Sequence, residues 1–171
     1  MTESGSLTFI LGGARSGKSR LAESLAEEFP APWIYVATAQ AFDQEMRERI
    51  HEHRSRRGPH WQTLESPIDL ETVLPELPAG RPLLLDCLTL WLTNIMLAGH
   101  DVEKASRRLA EILGNPRGPW FVVSNEVGLG IVPDNRLARQ FRDAAGRLNQ
   151  MVAQKANRVY FMAAGIPMTV K

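Results

Sequence analysis

Cysteine, long apolar runs and an excess of charge of one sign are scarce or absent in this 171-residue chain. Its one cysteine, Cys87, excludes a disulfide within the chain and a zinc site built from several cysteines. No apolar run approaches the roughly 20 residues that a membrane-spanning helix needs. Lys and Arg number 20 against 19 Asp and Glu, giving a formal charge of +1. We therefore expect no nucleic-acid partner, which would normally require a basic excess, and no membrane span.

Length and composition indicate one ordinary globular domain. At roughly 150 residues per domain, the chain makes a single domain over residues 1–171. Apolar residues form 44% and charged residues 23% of it, as is usual for globular proteins. Residues 1–6 contain no basic stretch followed by an apolar one, so we expect no signal peptide and a cytoplasmic location.

Short apolar runs alternate along the chain with stretches of helical periodicity. Strands are predicted over 7–11, 33–37, 61–64, 82–86, 120–124, 158–163 and 168–170. Helices are predicted over 19–29, 43–57, 69–77, 88–97, 101–113 and 135–156. This alternation predicts an α/β fold with a mostly parallel sheet flanked by helices. The turn at 165–167 then leads into the last strand as a C-terminal hairpin.

The first predicted strand runs directly into a loop that fits G-x-x-x-x-G-K-[ST], the phosphate-binding loop (P-loop) of nucleotide-binding proteins. Glycines at its two ends allow backbone angles that side chains forbid, so the loop's N–H groups can surround a phosphate at the start of a helix. The lysine would reach the β- and γ-phosphates and the serine would bind Mg²⁺. The arginine either contacts phosphate or is solvated. The predicted nucleotide-binding residues are Gly12, Gly13, Ala14, Arg15, Ser16, Gly17, Lys18 and Ser19.

Asp86 ends the apolar strand at 82–86, where its carboxylate can hold Mg²⁺ beside Ser19. The alternative is that Asp86 caps the next helix. Its neighbour Cys87 is expected to be a small buried residue and not a reactive thiol.

The guanine-recognition sequence of regulatory GTPases is missing, because residues 125–128 are the nearest string to Asn-Lys-x-Asp and do not fit it. The Asp-x-x-Gly switch is missing after the fourth strand as well. A small-molecule kinase or a nucleotidyltransferase remains.

The predicted helix at 43–57 carries two histidines among many charges. Met46, Ile50 and His53 share one face because they are spaced at i, i+4 and i+7. Arg49 and Arg57 flank His53 by about one turn, and such cations would bind a triphosphate. An imidazole among them suits attack on phosphorus, which gives a phosphoramidate. Spacing alone leaves open a half-buried histidine on a solvated helix.

Six strings, spread in order over nearly the whole chain, resemble the bifunctional adenosylcobinamide kinase/adenosylcobinamide-phosphate guanylyltransferase family of cobalamin biosynthesis. They are 12–20 (GGARSGKSR), 35–40 (YVATAQ), 45–53 (EMxxRIxxH), 85–94 (LDCLTxWLTN), 125–133 (NEVGxGIVP) and 135–150 (NRxxRxFRDxxGxxNQ). A P-loop alone would say little, whereas this series is specific.

The resemblance implies two reactions in one chain. ATP or GTP phosphorylates the hydroxyl of adenosylcobinamide, and GMP from GTP then passes through a guanylylated histidine to the new phosphate. The spacing of the third string places that histidine at His53, with His51 as the lesser alternative. The resemblance also implies a RecA-like P-loop NTPase fold and a homo-oligomer, often a trimer.

Further residues suit this chemistry. Lys18, Mg²⁺ on Ser19 and Asp86, and the cluster from Arg54 to Arg57 would neutralise charge on the phosphates. Thr38 follows the second strand, at the sheet edge where ligands bind. Glu65 ends the third strand and either accepts hydrogen bonds from guanine or is an exposed acid.

Three arginines lie near one face of the helix predicted at 135–156. They contact either the corrinoid phosphate or a neighbouring subunit, or they are ordinary surface charge; they are Arg136, Arg139 and Arg142.

Two other functions fit the P-loop. The first is a small-molecule kinase without the guanylyltransferase step. The second is a nucleotide-binding assembly subunit with no chemistry of its own.

Overall fold

A computed structural model describes residues 5–171, so the expectation of no signal peptide rests largely on residues outside the described range. The strands are β1 Ser6–Gly12, β2 Trp33–Ala37, β3 Trp61–Glu65, β4 Leu83–Asp86, β5 Pro119–Asn125, β6 Arg158–Ala163 and β7 Ile166–Thr169. The helices are α1 Lys18–Glu27, α2 Gln44–Arg56, α3 Leu70–Glu76, α4 Leu88–Leu97, α5 Val102–Leu113 and α6 Arg136–Lys155. Each predicted element is therefore present within a few residues of its predicted bounds.

All seven strands form one sheet in the order β3-β2-β4-β5-β1-β6-β7. Every pairing is parallel except that of β6 with β7, which is antiparallel. The mostly parallel sheet and the C-terminal hairpin are thus confirmed. The hairpin turns earlier than predicted, because Ala164 and Gly165 adopt positive φ angles of 51° and 80° and β7 already begins at Ile166.

Helices cover both faces of the sheet. Alternate residues of a strand point to opposite faces, so in β2 Ile34 and Val36 join one core while Tyr35 joins the other. The first core packs the sheet against α3, α4, α5 and α6, and the second packs it against α1. Among the described residues, no helix is both long enough and apolar enough to cross a membrane.

Helix α2 is held mainly by polar contacts, since none of its residues is buried. It begins after Asp43, whose carboxylate accepts a hydrogen bond from the Met46 N–H at 2.7 Å. Near its other end, Arg56 donates to Glu23 of α1 at 3.0 Å. These contacts place α2 over the ends of the parallel strands instead of against a sheet face.

The core predicts a large difference between two leucines of α4. Leu92 is fully buried, whereas Leu97 is 66% exposed. Because Leu92→Ala leaves a cavity, we expect it to lower the free energy of unfolding by about 2–5 kcal/mol. Leu97→Ala should change it by less than about 0.5 kcal/mol. Urea unfolding of both variants checks this, and similar losses in both would contradict the assigned core.

Candidate active site

The P-loop links β1 to α1 and lines a cavity at the carboxyl end of the sheet. Gly17 has a φ of 94°, a left-handed conformation that favours glycine. A Cβ on Gly12 would lie 2.7 Å from Ser16 Oγ and 2.9 Å from the Met162 carbonyl oxygen. Within the described chain the buried Ser16 Oγ has no hydrogen-bond partner. The loop therefore requires both glycines and offers a free hydroxyl.

Lys18 lies at the floor of this loop, where it is buried. Its Nζ donates a hydrogen bond to the Gly13 carbonyl oxygen inside the same loop. Burial lowers the pKa of Lys18, while the neighbouring Cys87 and Asp86 act in the opposite direction. A phosphate oxygen would offer this poorly solvated ammonium a stronger partner than a carbonyl does.

Asp86 is the polar centre of the site. Its Oδ2 accepts hydrogen bonds from Ser19 Oγ at 2.7 Å and from the Tyr35 hydroxyl at 3.0 Å. The residue that caps α4 is Cys87, so the capping alternative for Asp86 is wrong. Burial, followed by the charge of Asp86, raises the pKa of Tyr35 well above its usual range, which keeps the phenol a hydrogen-bond donor.

Helix α2 brings His53 to the P-loop. His53 Nδ1 lies 4.0 Å from Asp86 Oδ2, and the His53 side chain is 35% exposed. Past the end of the helix, the Arg57 guanidinium lies over the Tyr35 ring, 3.5 Å from its centre. His53 is among the residues that line the cavity beside the P-loop, whereas His51 is not. The structure thus places His53, and not His51, beside the predicted nucleotide site.

A cavity of about 820 Å³, here called the nucleotide cavity, joins these groups. Seven Lys and Arg line it against three Asp and Glu, so its field favours an anion. Arg54 and Glu65 lie at its rim as an exposed ion pair. Exposed Arg15 lines it too, with a φ of 54°. In residues 5–171, no group of three or more His, Cys, Asp or Glu is placed to hold a metal ion.

Thr38 stands directly after β2, at the predicted edge of the sheet, but its side chain does not face the nucleotide cavity. It is fully buried and does not line the nucleotide cavity. Its hydroxyl donates to the Cys87 carbonyl oxygen at 2.7 Å and accepts from the Cys87 N–H at 2.8 Å. Thr38 therefore fixes the backbone beside Asp86, and its hydroxyl has no free capacity directed at a ligand.

The three arginines of α6 lie outside the nucleotide cavity. Arg139 Nη1 donates to the Pro133 and Asp134 carbonyl oxygens at 2.8 Å each, and so fixes the loop before α6. Arg142 pairs with Asp143 at 2.9 Å, and Arg136 is exposed.

Several residues of the site carry little or no signal in the sequence. Tyr35 was placed in a strand and in the 35–40 string but was given no role in the site, although a polar tip two residues before the strand ends was a usable signal. Glu23, which holds α2 through Arg56, looked like any exposed helical acid. Gly165 of the hairpin bonds to the P-loop, its N–H donating to the Ser16 carbonyl oxygen at 3.0 Å. No local pattern signals that contact, because it joins residues far apart in the chain.

The environment of Cys87 predicts an unreactive thiol. Burial raises the pKa of Cys87 from 9.0 to about 12. At pH 8 its thiolate fraction is then roughly 1000-fold lower than in the unfolded chain, and the thiolate is the reactive form. We expect a thiol-specific disulfide reagent to modify the native protein at least about 100-fold more slowly than the urea-unfolded protein. Because the chain has one cysteine, the reading is unambiguous, and fast modification of the native protein would contradict it.

Solved structures share this architecture at low sequence identity. An ATPase from a bacterial type III secretion system matches 96% of this chain and 56% of its own, with a TM-score of 0.56 and 13% identity. A protein of Pyrococcus horikoshii OT3 matches 98% of this chain and 87% of its own, with a TM-score of 0.57 and 9% identity. These similarities concern the fold alone, and they agree with the α/β architecture of a mostly parallel sheet flanked by helices.

Closer relatives are found by sequence. Residues 8–170 match the family described as cobinamide kinase / cobinamide phosphate guanyltransferase. The bifunctional adenosylcobalamin biosynthesis protein CobP of Pseudomonas aeruginosa is 53% identical over 95% of both chains. Its counterpart CobU of Salmonella typhimurium is 41% identical, covering 96% of this chain and 99% of its own. The chain therefore belongs to the cobinamide kinase / cobinamide phosphate guanyltransferase family.

Proposed function

We propose that this protein phosphorylates adenosylcobinamide with ATP or GTP and then transfers GMP from GTP to the product, through a guanylylated His53. The observation that supports this best is the position of His53 at the P-loop. A phosphate-binding loop serves any kinase, but a kinase alone needs no histidine 4.0 Å from the carboxylate that bonds to the P-loop serine.

The first reaction is a phosphoryl transfer. The corrinoid hydroxyl oxygen attacks the γ-phosphorus, the bond from that phosphorus to the bridging oxygen breaks, and ADP or GDP leaves. The hydroxyl proton passes to solvent. Lys18 and the N–H groups of residues 12–19 would bind the phosphates while charge shifts to the leaving group.

The second reaction takes two steps. A ring nitrogen of His53 attacks the α-phosphorus of GTP, pyrophosphate leaves with the electrons of the broken P–O bond, and the imidazole releases a proton. A phosphate oxygen of the corrinoid then attacks the same phosphorus, the P–N bond breaks with its electrons returning to the ring nitrogen, and the imidazole takes up one proton from solvent. Adenosylcobinamide-GDP is the product, and His53 is ready for another cycle.

Two buried polar groups of the site support triphosphate binding. Ser16 Oγ and Arg57 Nη1 both lack a hydrogen-bond partner within residues 5–171, and both residues line the nucleotide cavity. Buried donors without partners are costly, and phosphate oxygens would satisfy them. Arg54 would add a further contact at the rim, where Glu65 would accept from the guanine N1–H and amino group once its pair with Arg54 opens.

Magnesium fits the oxygen atoms beside the P-loop. Ser19 Oγ and Asp86 Oδ2 lie 2.7 Å apart, and Mg²⁺ commonly binds through one carboxylate, a hydroxyl and substrate phosphates instead of a full protein cage. Ser19 and Asp86 would hold the ion, which would neutralise charge on the phosphates.

Three broader expectations stay proposals. One catalytic domain would span residues 1–171, and the reactions would take place in the cytoplasm. A homo-oligomer is supported by the exposed apolar residues Leu129, Ile131 and Val132 before α6, because such patches usually mark contact surfaces. Light scattering would measure the oligomeric state directly.

A pulse and chase tests the proposed function. GTP labelled at the α-phosphate is expected to leave an acid-labile, alkali-stable label on the protein, and adding phosphorylated adenosylcobinamide should move that label into a corrinoid. If folded, GTP-binding protein takes up no label yet phosphorylates adenosylcobinamide, the function is that of a kinase alone. If neither reaction occurs, the chain is a nucleotide-binding subunit.

A further inference from the structure

A second cavity of about 560 Å³ lies beside the nucleotide cavity, with α2 between the two; we call it the acceptor cavity. Arg47 and His51 of α2 line it, whereas Met46, Arg49 and His53 line the nucleotide cavity. The two histidines thus serve different cavities because they lie two positions apart on one helix.

The two cavities meet along a shared boundary. Four residues line both of them: Ala39, Ile50, Arg54 and Glu65. The Arg54–Glu65 ion pair stands at this boundary and is exposed, so little free energy holds it closed. Once the Arg54–Glu65 ion pair opens, a ligand in the acceptor cavity can therefore reach the side of α2 that carries His53.

The lining of the acceptor cavity is chemically mixed. Arg47 and Arg54 supply positive charge against the single acid Glu65. Phe42 adds an apolar ring that is 73% exposed. The cavity also lies at the carboxyl ends of β2 and β3, the edge at which parallel sheets bind ligands. Charge beside an exposed ring suits a large amphipathic molecule that carries a phosphate and many amides.

We propose that the acceptor cavity binds one edge of the phosphorylated corrinoid during guanylyl transfer. Phe42 packs against the apolar part of the macrocycle, and Arg47 donates to its amide oxygens. Arg54, at the boundary, contacts the phosphate as it approaches the phosphorus bound to His53. The volume suits a drug-sized ligand, so most of the corrinoid stays outside. This inference rests on the proposed guanylyl transfer.

The experiment separates loading of the enzyme from transfer to the acceptor. Wild type, Arg47→Ala and the double variant Phe42→Ala/Arg47→Ala are first labelled with GTP alone and then mixed with increasing phosphorylated adenosylcobinamide. Both side chains are exposed, so the variants should fold normally, which the melting temperature checks. Arg107→Ala is the matched control, since Arg107 is an exposed arginine of α5 and lines neither cavity.

We expect the variants to be labelled at the wild-type rate but to need about tenfold more corrinoid for half-maximal transfer, because donor contacts from a charged group are lost. Unchanged corrinoid dependence in the double variant would overturn the proposal. So would slower labelling or a raised KM for GTP, because the cavity would then belong to the nucleotide.

A binding measurement keeps this inference distinguishable from the proposed function. Equilibrium dialysis follows the absorbance of the phosphorylated corrinoid and needs no turnover. Weaker binding to the double variant than to wild type and Arg107→Ala supports the acceptor cavity even where no label forms on His53. Equal binding to all three proteins overturns it, whether or not guanylyl transfer occurs.

Discussion

Protein incubated with α-labelled GTP is expected to lose its covalent label completely when His53 is replaced by alanine. No other histidine of residues 5–171 lines the nucleotide cavity, and the phosphoramidate cannot form without a ring nitrogen at the α-phosphorus. We expect less than about 1% of the wild-type label, whereas phosphorylation of adenosylcobinamide, which uses no histidine nucleophile, should continue. Scintillation counting of acid-sensitive, alkali-stable label measures the first reaction, and product analysis measures the second.

Two histidine variants make this result specific. His100→Ala is the control, because His100 is exposed after α4 and lines neither cavity. His51→Ala tests the alternative nucleophile on the same helix. If the label is lost in His51→Ala and kept in His53→Ala, His51 is the nucleophile and the assignment of His53 is wrong.

Replacing Lys18 by alanine is expected to impair both reactions. Its ammonium is the one lysine charge lining the nucleotide cavity within residues 5–171, and both reactions place new charge on phosphate oxygens there. Loss of one such preorganised donor costs about 10²–10³ in rate. We therefore expect kcat/KM for phosphorylation, and the rate of labelling by GTP, each to fall by about that factor.

The stability of Lys18→Ala separates this effect from unfolding. Burial lowers the pKa of Lys18, which means that the charged side chain is destabilised by desolvation when no nucleotide is bound. Removing the charge should therefore not lower the melting temperature of the nucleotide-free protein. Lys104→Ala, at an exposed position of α5, is the control. Activity of Lys18→Ala within threefold of wild type would remove Lys18 from the phosphate site.

The local sequence was enough to predict most of the fold. Apolar runs bounded by glycine and proline gave the strands, and Asp43, Asp101 and Asn135 cap helices whose side-chain spacing had marked their starts. These signals act within a few residues of the chain, so they can be recognised in the sequence without knowledge of the fold. The last strand was predicted to start two residues too late. The reason is that the turn is formed by Ala164 and Gly165, both with positive φ, and alanine is not a residue that usually signals such a turn.

The roles of individual site residues were harder to predict from the sequence than the fold. Asp86 was ambiguous between metal ligand and helix cap in the sequence, because an aspartate after a strand suits both. The pairing of β2 with β4 brings Asp86 to Tyr35, and the pairings of β4 with β5 and of β5 with β1 bring it to Ser19. The cap of α4 is the next residue, Cys87. Thr38 stands at the predicted sheet edge, yet its hydroxyl is taken up by the Cys87 backbone.

The P-loop, the alternation of strands and helices and the histidine helix can all be predicted from the amino-acid order, since each depends on residues close together in the chain. Which face of α2 meets the P-loop depends on the tertiary structure, because this mostly charged helix has no buried residue that would fix its orientation. Contacts from distant elements orient it instead: Arg56 with Glu23, and Arg57 over Tyr35. Those contacts bring His53 to Asp86 and place Arg47 in the second cavity.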